Sequence, residues 1–176
     1  MQELHAQFEA AFNAYSDELF RHASLRMRDR ERAVELTQEC FVKAFEYAKR
    51  GNPIDELRPF LYRTLRNLII DEYRRKKAIS LDALAEGEGA DIDALMPADN
   101  SNTLEAAIDR FDGAAAIAAL KKLPDLYREA VSLRYVDGLT PQEIAAIVGE
   151  SENVVSVRVH RGLKKLREML ENHGNE

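Results

Sequence analysis

Apolar residues recur along this chain at steps of three and four. Leu4, Phe8, Ala11, Tyr15 and Leu19 form the first such series, the period that lays a stripe along one face of a helix. A second helix is predicted over 31–49, with Val34, Cys40, Phe41, Ala44 and Phe45 apolar, and Gly51, Asn52 and Pro53 ending it. A third is expected to begin near Pro59, a residue suited to a first helical turn, and to run through FLYRTLRNLIIDEYRRKK with Leu57, Leu61, Leu65 and Leu68 as its buried stripe. Further on, helices are predicted around 115–123 and over 124–136. The two-residue alternation of a strand does not occur, so the expected class is all-α.

Between these helical stretches the pattern fades. LAEGEGADIDALMPADNSNT mixes glycine, proline, asparagine and acids with weak periodicity, the composition of a flexible acidic linker. The expected organisation is therefore two small helical domains, 1–81 and 113–176, joined by a linker over 82–112. Composition favours a solvated tether there, with a nucleic-acid mimic as the sharper alternative.

The last helical pattern is the most specific. In DGLTPQEIAAIVGESENVVSVRVHRGLKKLREML, Thr140 can cap a helix, Pro141 suits its first position, and Glu143 completes a capping box. Ile144, Ala145, Ile147 and Val148 supply its apolar face, with Ala145 small enough for helices to cross closely. Gly149 can take the left-handed conformation that ends it, and Ser151 can cap a second helix. The spacing is that of a helix-turn-helix.

That second helix separates its faces. Val155, Val159, Leu163, Leu166 and Leu170 lie on one side. Arg158, Arg161 and Lys165 lie on another, with Asn153, Val157, His160 and Lys164 nearby. Residues 158–167 hold five bases and no acid. Such a helix can enter the major groove, reading base edges with its N-terminal half and meeting phosphates with its cations.

The third helix carries a different cluster. Arg58, Arg63 and Arg66 interleave with Phe60, Tyr62 and Tyr73, and the helix ends in Arg74, Arg75, Lys76 and Lys77. Cations with aromatics hold single-stranded DNA. Equally, Phe60 and Tyr62 suit a core, and the terminal cations suit a helix C-terminus. Both readings stand on this helix alone.

The net charge of −6 argues against nucleic acid until it is located. Residues 82–112 hold nine acids and one base, or −8; residues 1–81 carry +2 and residues 113–176 carry 0. The acidity sits in the linker, so the flanks are free to carry basic faces.

Other classes recede. No stretch nears the ~20 apolar residues of a membrane span, and MQELHAQFEA lacks the marks of a signal peptide, so a cytoplasmic protein is expected. The single cysteine, Cys40, sits in a helical pattern as a small buried thiol. Histidines 5, 22, 160 and 173 show no metal-ligand spacing. Without a nucleophile–base pair or a phosphate-cradling glycine loop, an enzyme is not expected, and neither a metal nor a cofactor is.

Three segments in register resemble one family: LTQECFVKAF, RPFLYRTLRNLIIDEYRRKK and LKKLPDLYREAVSLRYVDGLTPQEIAAIVGESENVVSVRVHRGLKKLREML. Together with the acidic linker they look like the bacterial RNA polymerase sigma factors of the extracytoplasmic-function (ECF) class. The resemblance covers nearly the whole chain. It implies that the second helix docks on the β′ coiled coil of core RNA polymerase through Glu35, Leu36, Gln38, Glu39 and Phe41. It places the 51–57 loop and the third helix at the −10 promoter element, with Arg58, Arg63, Arg66, Asn67, Arg74 and Arg75 toward single-stranded DNA. Asp71 belongs to the motif, with a structural role such as pairing Arg74 or Arg75. The helix-turn-helix would read the −35 element through Asn153, Ser156, Val157, Arg158, His160, Arg161, Lys164 and Lys165. Promoter DNA, core polymerase and an anti-sigma factor are the implied partners.

The chain departs from the family pattern in places. Ser156 stands where the family commonly has a base, and Val157 where it has serine; valine can touch a thymine methyl but cannot hydrogen-bond a base edge. The family's tryptophans near Phe45 and Phe60 are missing, which leaves the fold intact and weakens the DNA contact expected near Phe60. Two other readings remain: a regulator that uses only the helix-turn-helix, and a sigma mimic that binds regulators but not promoters.

Overall fold

The computed structural model describes residues 1–81 and 113–173, which are helical throughout apart from short connections. The linker predicted over 82–112 lies outside the described residues. The first lobe is built of α1 (Gln2–Arg26), α2 (Arg30–Lys49) and α3 (Leu57–Leu81). Asp29 starts α2, its carboxylate accepting from the backbone N–H of Glu31 at 2.9 Å and of Arg32 at 3.3 Å, which satisfies donors that a helix N-terminus leaves open. α3 begins two residues ahead of the expected Pro59. Phe8, Leu19, Leu36, Cys40, Ala44, Leu61, Leu65 and Ile69 make the buried core among the three helices. Val34, expected on the apolar face, is 38% exposed. The buried stripe of α2 instead runs through Ala33, Leu36, Cys40 and Ala44, and Val34 lies off it.

The second lobe contains α4 (Gly113–Lys122), α5 (Asp125–Val131), α6 (Pro141–Val148) and α7 (Glu152–His173). The helix expected over 124–136 is not uniform. After Val131 it widens into a π-helical turn, Ser132–Val136, whose end is marked by the Asp137 N–H donating to the Ser132 carbonyl at 2.9 Å.

The two lobes pack against each other. Leu25, on α1, is buried among Leu120, Leu123, Val131, Leu163, Leu166 and Leu170 of the second lobe. Leu133, Leu139, Ile144 and Val155 belong to the same apolar cluster as Leu19, Tyr62 and Leu65 of the first. α6 lies against α3. The described residues form two lobes whose apolar side chains meet in two shared clusters.

Candidate nucleic-acid interface

The helix-turn-helix is built as its residues predict. The Thr140 side chain accepts from the Glu143 N–H at 3.2 Å, and the Glu143 carboxylate accepts from the Thr140 N–H at 2.7 Å. That backbone bond holds the Glu143 carboxyl below its ordinary pKa. Gly149 takes φ 73° and ends α6, a conformation that costs glycine little. Ser151 Oγ accepts from the Val154 N–H at 3.2 Å, capping α7. Ile144, Ile147, Val155, Leu163 and Leu166 are buried beneath these turns.

Ala145 is partly buried and packs against the shared apolar cluster, and a close helix crossing lies at Gly162. A Cβ there would stand 2.6 Å from Val131 Cγ2 and 3.2 Å from Tyr127 Cβ. Gly162 thus lets α7 approach α5, and the sequence signal for it was a lone glycine inside a strong helical pattern.

On α7, Asn153, His160, Lys164 and Lys165 are exposed, while Ser156, Val157, Arg158 and Arg161 are half-buried. Arg158 reaches back to Glu150 in the turn, Nη2 donating to Oε1 at 3.0 Å. Lys165 Nζ stands 5.8 Å from the Tyr127 ring centroid, a cation–π contact. Four of these candidates are thus exposed and four half-buried, with Arg158 braced by an acid.

On α3 the candidates divide into two stripes. Arg63, Asn67, Arg74 and Arg75 face outward. Arg58 and Arg66 face the second lobe. Arg58 donates through Nε to Glu18 Oε1 at 2.8 Å and through Nη2 to the Asp137 carbonyl at 2.9 Å. Arg66 Nε donates to Glu129 Oε1 at 2.8 Å. Tyr62, between them, is 1% exposed, so it is a core residue rather than a base-stacking one. Phe60 is partly buried, its ring centroid 5.0 Å from that of Tyr47. The Tyr73 hydroxyl donates to the Arg26 carbonyl. Asp71 pairs loosely with Arg74, at 3.9 Å on the surface.

On α2, Glu35 and Gln38 are exposed and Glu39 is partly so. Leu36 is 1% exposed and Phe41 is buried; both belong to the core beneath that face. Sequence reasoning missed Val42, 56% exposed one turn beyond Gln38, and the groove beside it. Phe8, Phe12, Phe41, Val42 and Phe45 line this opening of about 550 Å³ between α1 and α2. Cys40 lies under the same helix, its thiol donating to the Leu61 carbonyl at 3.2 Å, and burial pushes its pKa up to about 12.

Comparison with known proteins places this geometry in a class. Residues 11–79 match the model of Sigma-70 region 2, and residues 114–166 match that of Sigma-70, region 4. The chain belongs to the ECF class of RNA polymerase sigma factors, proteins that direct promoter-specific transcription initiation and are not enzymes. It is 31% identical to the ECF RNA polymerase sigma factor EcfG of Rhodopseudomonas palustris, over 83% of this chain and 75% of that one. It is 30% identical to the RNA polymerase sigma factor SigZ of Bacillus subtilis, over 93% and 86%. With the ECF RNA polymerase sigma factor SigE of Mycolicibacterium smegmatis it shares 34% identity over 92% of its length, spanning 61% of that relative. In fold it matches the sigma factor RpoE of Bartonella quintana, solved with the anti-sigma factor NepR, at a TM-score of 0.71 and 23% identity over 94% of this chain and 97% of that one. No described helix is long and apolar enough to cross a membrane.

Proposed function

We propose that this chain is a cytoplasmic alternative sigma factor that binds core RNA polymerase, recognises −10 and −35 elements and aids strand opening. The outer face of α2, with Glu35, Gln38, Glu39 and the neighbouring Val42, docks on the β′ coiled coil, over a base formed by Leu36 and Phe41. α3 serves the −10 element: Arg63, Asn67, Arg74 and Arg75 track the single strand, joined by Arg58 and Arg66. The exposed face of α7 enters the major groove at −35, with Asn153, Ser156, Val157 and Arg161 toward bases and Arg158, His160, Lys164 and Lys165 toward phosphates. On this reading the domain limits are 1–81 and 113–176, and an anti-sigma factor is the natural regulator. The observation that carries the proposal is a fully capped helix-turn-helix with an open polar face, on the same chain as a region 2 lobe whose α3 bears an outward cationic stripe.

Run-off transcription with purified core polymerase on a promoter library tests it. Promoter-dependent transcripts are expected; a chain that neither binds core nor uses any promoter refutes the proposal. The departures at Ser156 and Val157 leave open one alternative, a decoy that binds regulators of sigma factors but not promoters. Arg161→Ala separates the two: a true sigma factor loses about 1–3 kcal/mol of promoter binding where the side chain reads a base, and a decoy shows no change.

A further inference from the structure

The turn that leads into α7 is held at both ends. The Gly149 and Glu150 N–H groups both donate to the Ala145 carbonyl, at 2.9 and 3.2 Å, and Ser151 caps α7 immediately afterwards. The Glu150 backbone is thereby fixed. A residue just past a helix-ending glycine frequently packs an apolar side chain back on the helix it follows. Glu150 does otherwise. Its carboxylate turns to the reading helix, where Oε1 accepts from Arg158 Nη2 at 3.0 Å. Arg158 stands about 10 Å along α7 from Ser151. Side chains on a helix lean toward its N-terminus, and the bond to Glu150 draws the guanidinium to the end of α7 that meets the groove.

The pair stays open to solvent, with the Arg158 side chain 21% exposed and that of Glu150 41%. Exposed ion pairs add little to stability, so stability is a weak account of this one. The bond takes one of the five N–H donors of a guanidinium, and the rest of the fork can still take a phosphate. A carboxylate here repels every duplex alike, because backbone charge does not depend on sequence. What it supplies is direction. A side chain already held in one orientation loses less freedom on binding. It also meets a phosphate only where that phosphate stands correctly for the base contacts of the same helix.

We propose that Glu150 is a positioning residue: it aims Arg158 at one backbone phosphate of the −35 element and so fixes the register in which α7 reads bases. This rests on the reading of Arg158 as a phosphate contact. Glu150 then lowers affinity for duplex DNA in general and raises discrimination for the right sequence. The composition of α7 gives that register weight. Ser156 and Val157 offer base edges only a short hydroxyl and an apolar surface, so more of the recognition falls to contacts that place the helix.

The test uses the full chain with core polymerase. Its probes are the strongest promoter from the run-off library and a duplex of equal length whose upstream half is scrambled. The ratio of the two affinities is read, together with the salt dependence of binding to the scrambled duplex. Arg158→Ala should weaken both complexes and make the salt slope shallower by about one. Glu150→Ala should act with mixed signs. The promoter-to-scrambled ratio should fall about two- to fivefold, the range of an exposed ion pair, while the scrambled duplex binds more tightly and with a steeper salt slope. Glu150→Gln keeps an acceptor oxygen in place and should recover the ratio. In an Arg158→Ala background, Glu150→Ala should leave the ratio unchanged, because Glu150 acts through that arginine.

A folded Glu150→Ala variant with the parent's ratio overturns the proposal. So does a full loss of the ratio in the Arg158→Ala background, which would give Glu150 a role in the turn or a base contact of its own. A Glu150→Gln variant no better than Glu150→Ala overturns it as well. Should Glu150→Ala fail to fold, Glu150→Ser, suited to a turn, takes its place with the same expected signs. If Arg158→Ala binds both duplexes as the parent does, Arg158 is no phosphate contact and the proposal falls with that premise. A chain that uses no promoter fails earlier, at the sigma-factor reading itself, and is told apart from these results by the absence of any transcript.

Discussion

Gly162 shows how a single missing side chain sets a helix crossing. Alanine there would gain roughly 0.5–1 kcal/mol of helix propensity. Its Cβ would also meet Val131 Cγ2 at 2.6 Å and the Tyr127 backbone carbonyl at 3.3 Å, and overpacking of that kind costs about 1–3 kcal/mol. Gly162→Ala should therefore lower the urea midpoint, and a raised midpoint would show that the crossing has slack. Glu72 is a second residue whose role is set by its neighbours. It is 4% exposed, accepts from Arg32 Nη2 at 2.8 Å and from Arg75 Nη2 at 3.0 Å, and the Arg32 hydrogen bond holds its pKa below the ordinary value of 4.5. A depressed folded pKa means that the stabilisation is present in full above the unfolded value and is lost as pH falls through the folded one. Glu72→Gln should cost about 1.5–3 kcal/mol at pH 7, the range for hydrogen bonds to charged groups. The gap between parent and variant should shrink when both are denatured below pH 4.5; a gap that holds constant with pH would count against the pairing.

At the level of elements, what was legible in the sequence was whatever is local. The capping box spans Thr140 to Glu143, and the turn glycine is one residue past α6, so neither needs a distant partner to be read. Thr140→Ala should cost about 1 kcal/mol, read as a lowered melting temperature with unchanged helical content at 20 °C; an unshifted melt would mean the cap is redundant with packing. Elements whose form depends on tertiary packing were not legible. Val34 fits a helical apolar count, yet the direction of the α2 core stripe is chosen by α1 and α3, and it passes through Ala33 and Leu36 instead. The π-helical turn at Ser132–Val136 leaves no mark in a period of three and four, because one extra residue in a ring only rotates the side chains beyond it. The candidate DNA residues of α3 were found as types, and their division into an outward stripe and an inward one had to wait for the neighbouring lobe.

For the whole molecule, charge misled more than hydrophobicity did. Locating the net acidity in the linker was sound as arithmetic, but charged residues elsewhere read as surface by default, and that hid His22, Arg26, Glu129 and Asp137 from sequence reasoning. Their burial joins the lobes, and so does Leu25, an α1 residue whose side chain packs in the second lobe's cluster. Two consequences differ from those of independent domains on a tether. Because core residues of both lobes belong to one cluster, the parent should unfold in a single cooperative transition, with tryptic susceptibility and far-ultraviolet circular dichroism changing together. Leu25→Ala removes apolar contact from the interface at a cost of about 2–5 kcal/mol, while leaving the Leu19, Leu36 and Leu65 core of the first lobe untouched. Most of that loss should fall on the coupling between lobes. The variant should melt in two steps, the second lobe first, and its Arg58 and Arg66 should become more accessible to single-stranded DNA. A variant that is destabilised but still melts in one step would place Leu25 within a single folding unit and deny the interface its independence.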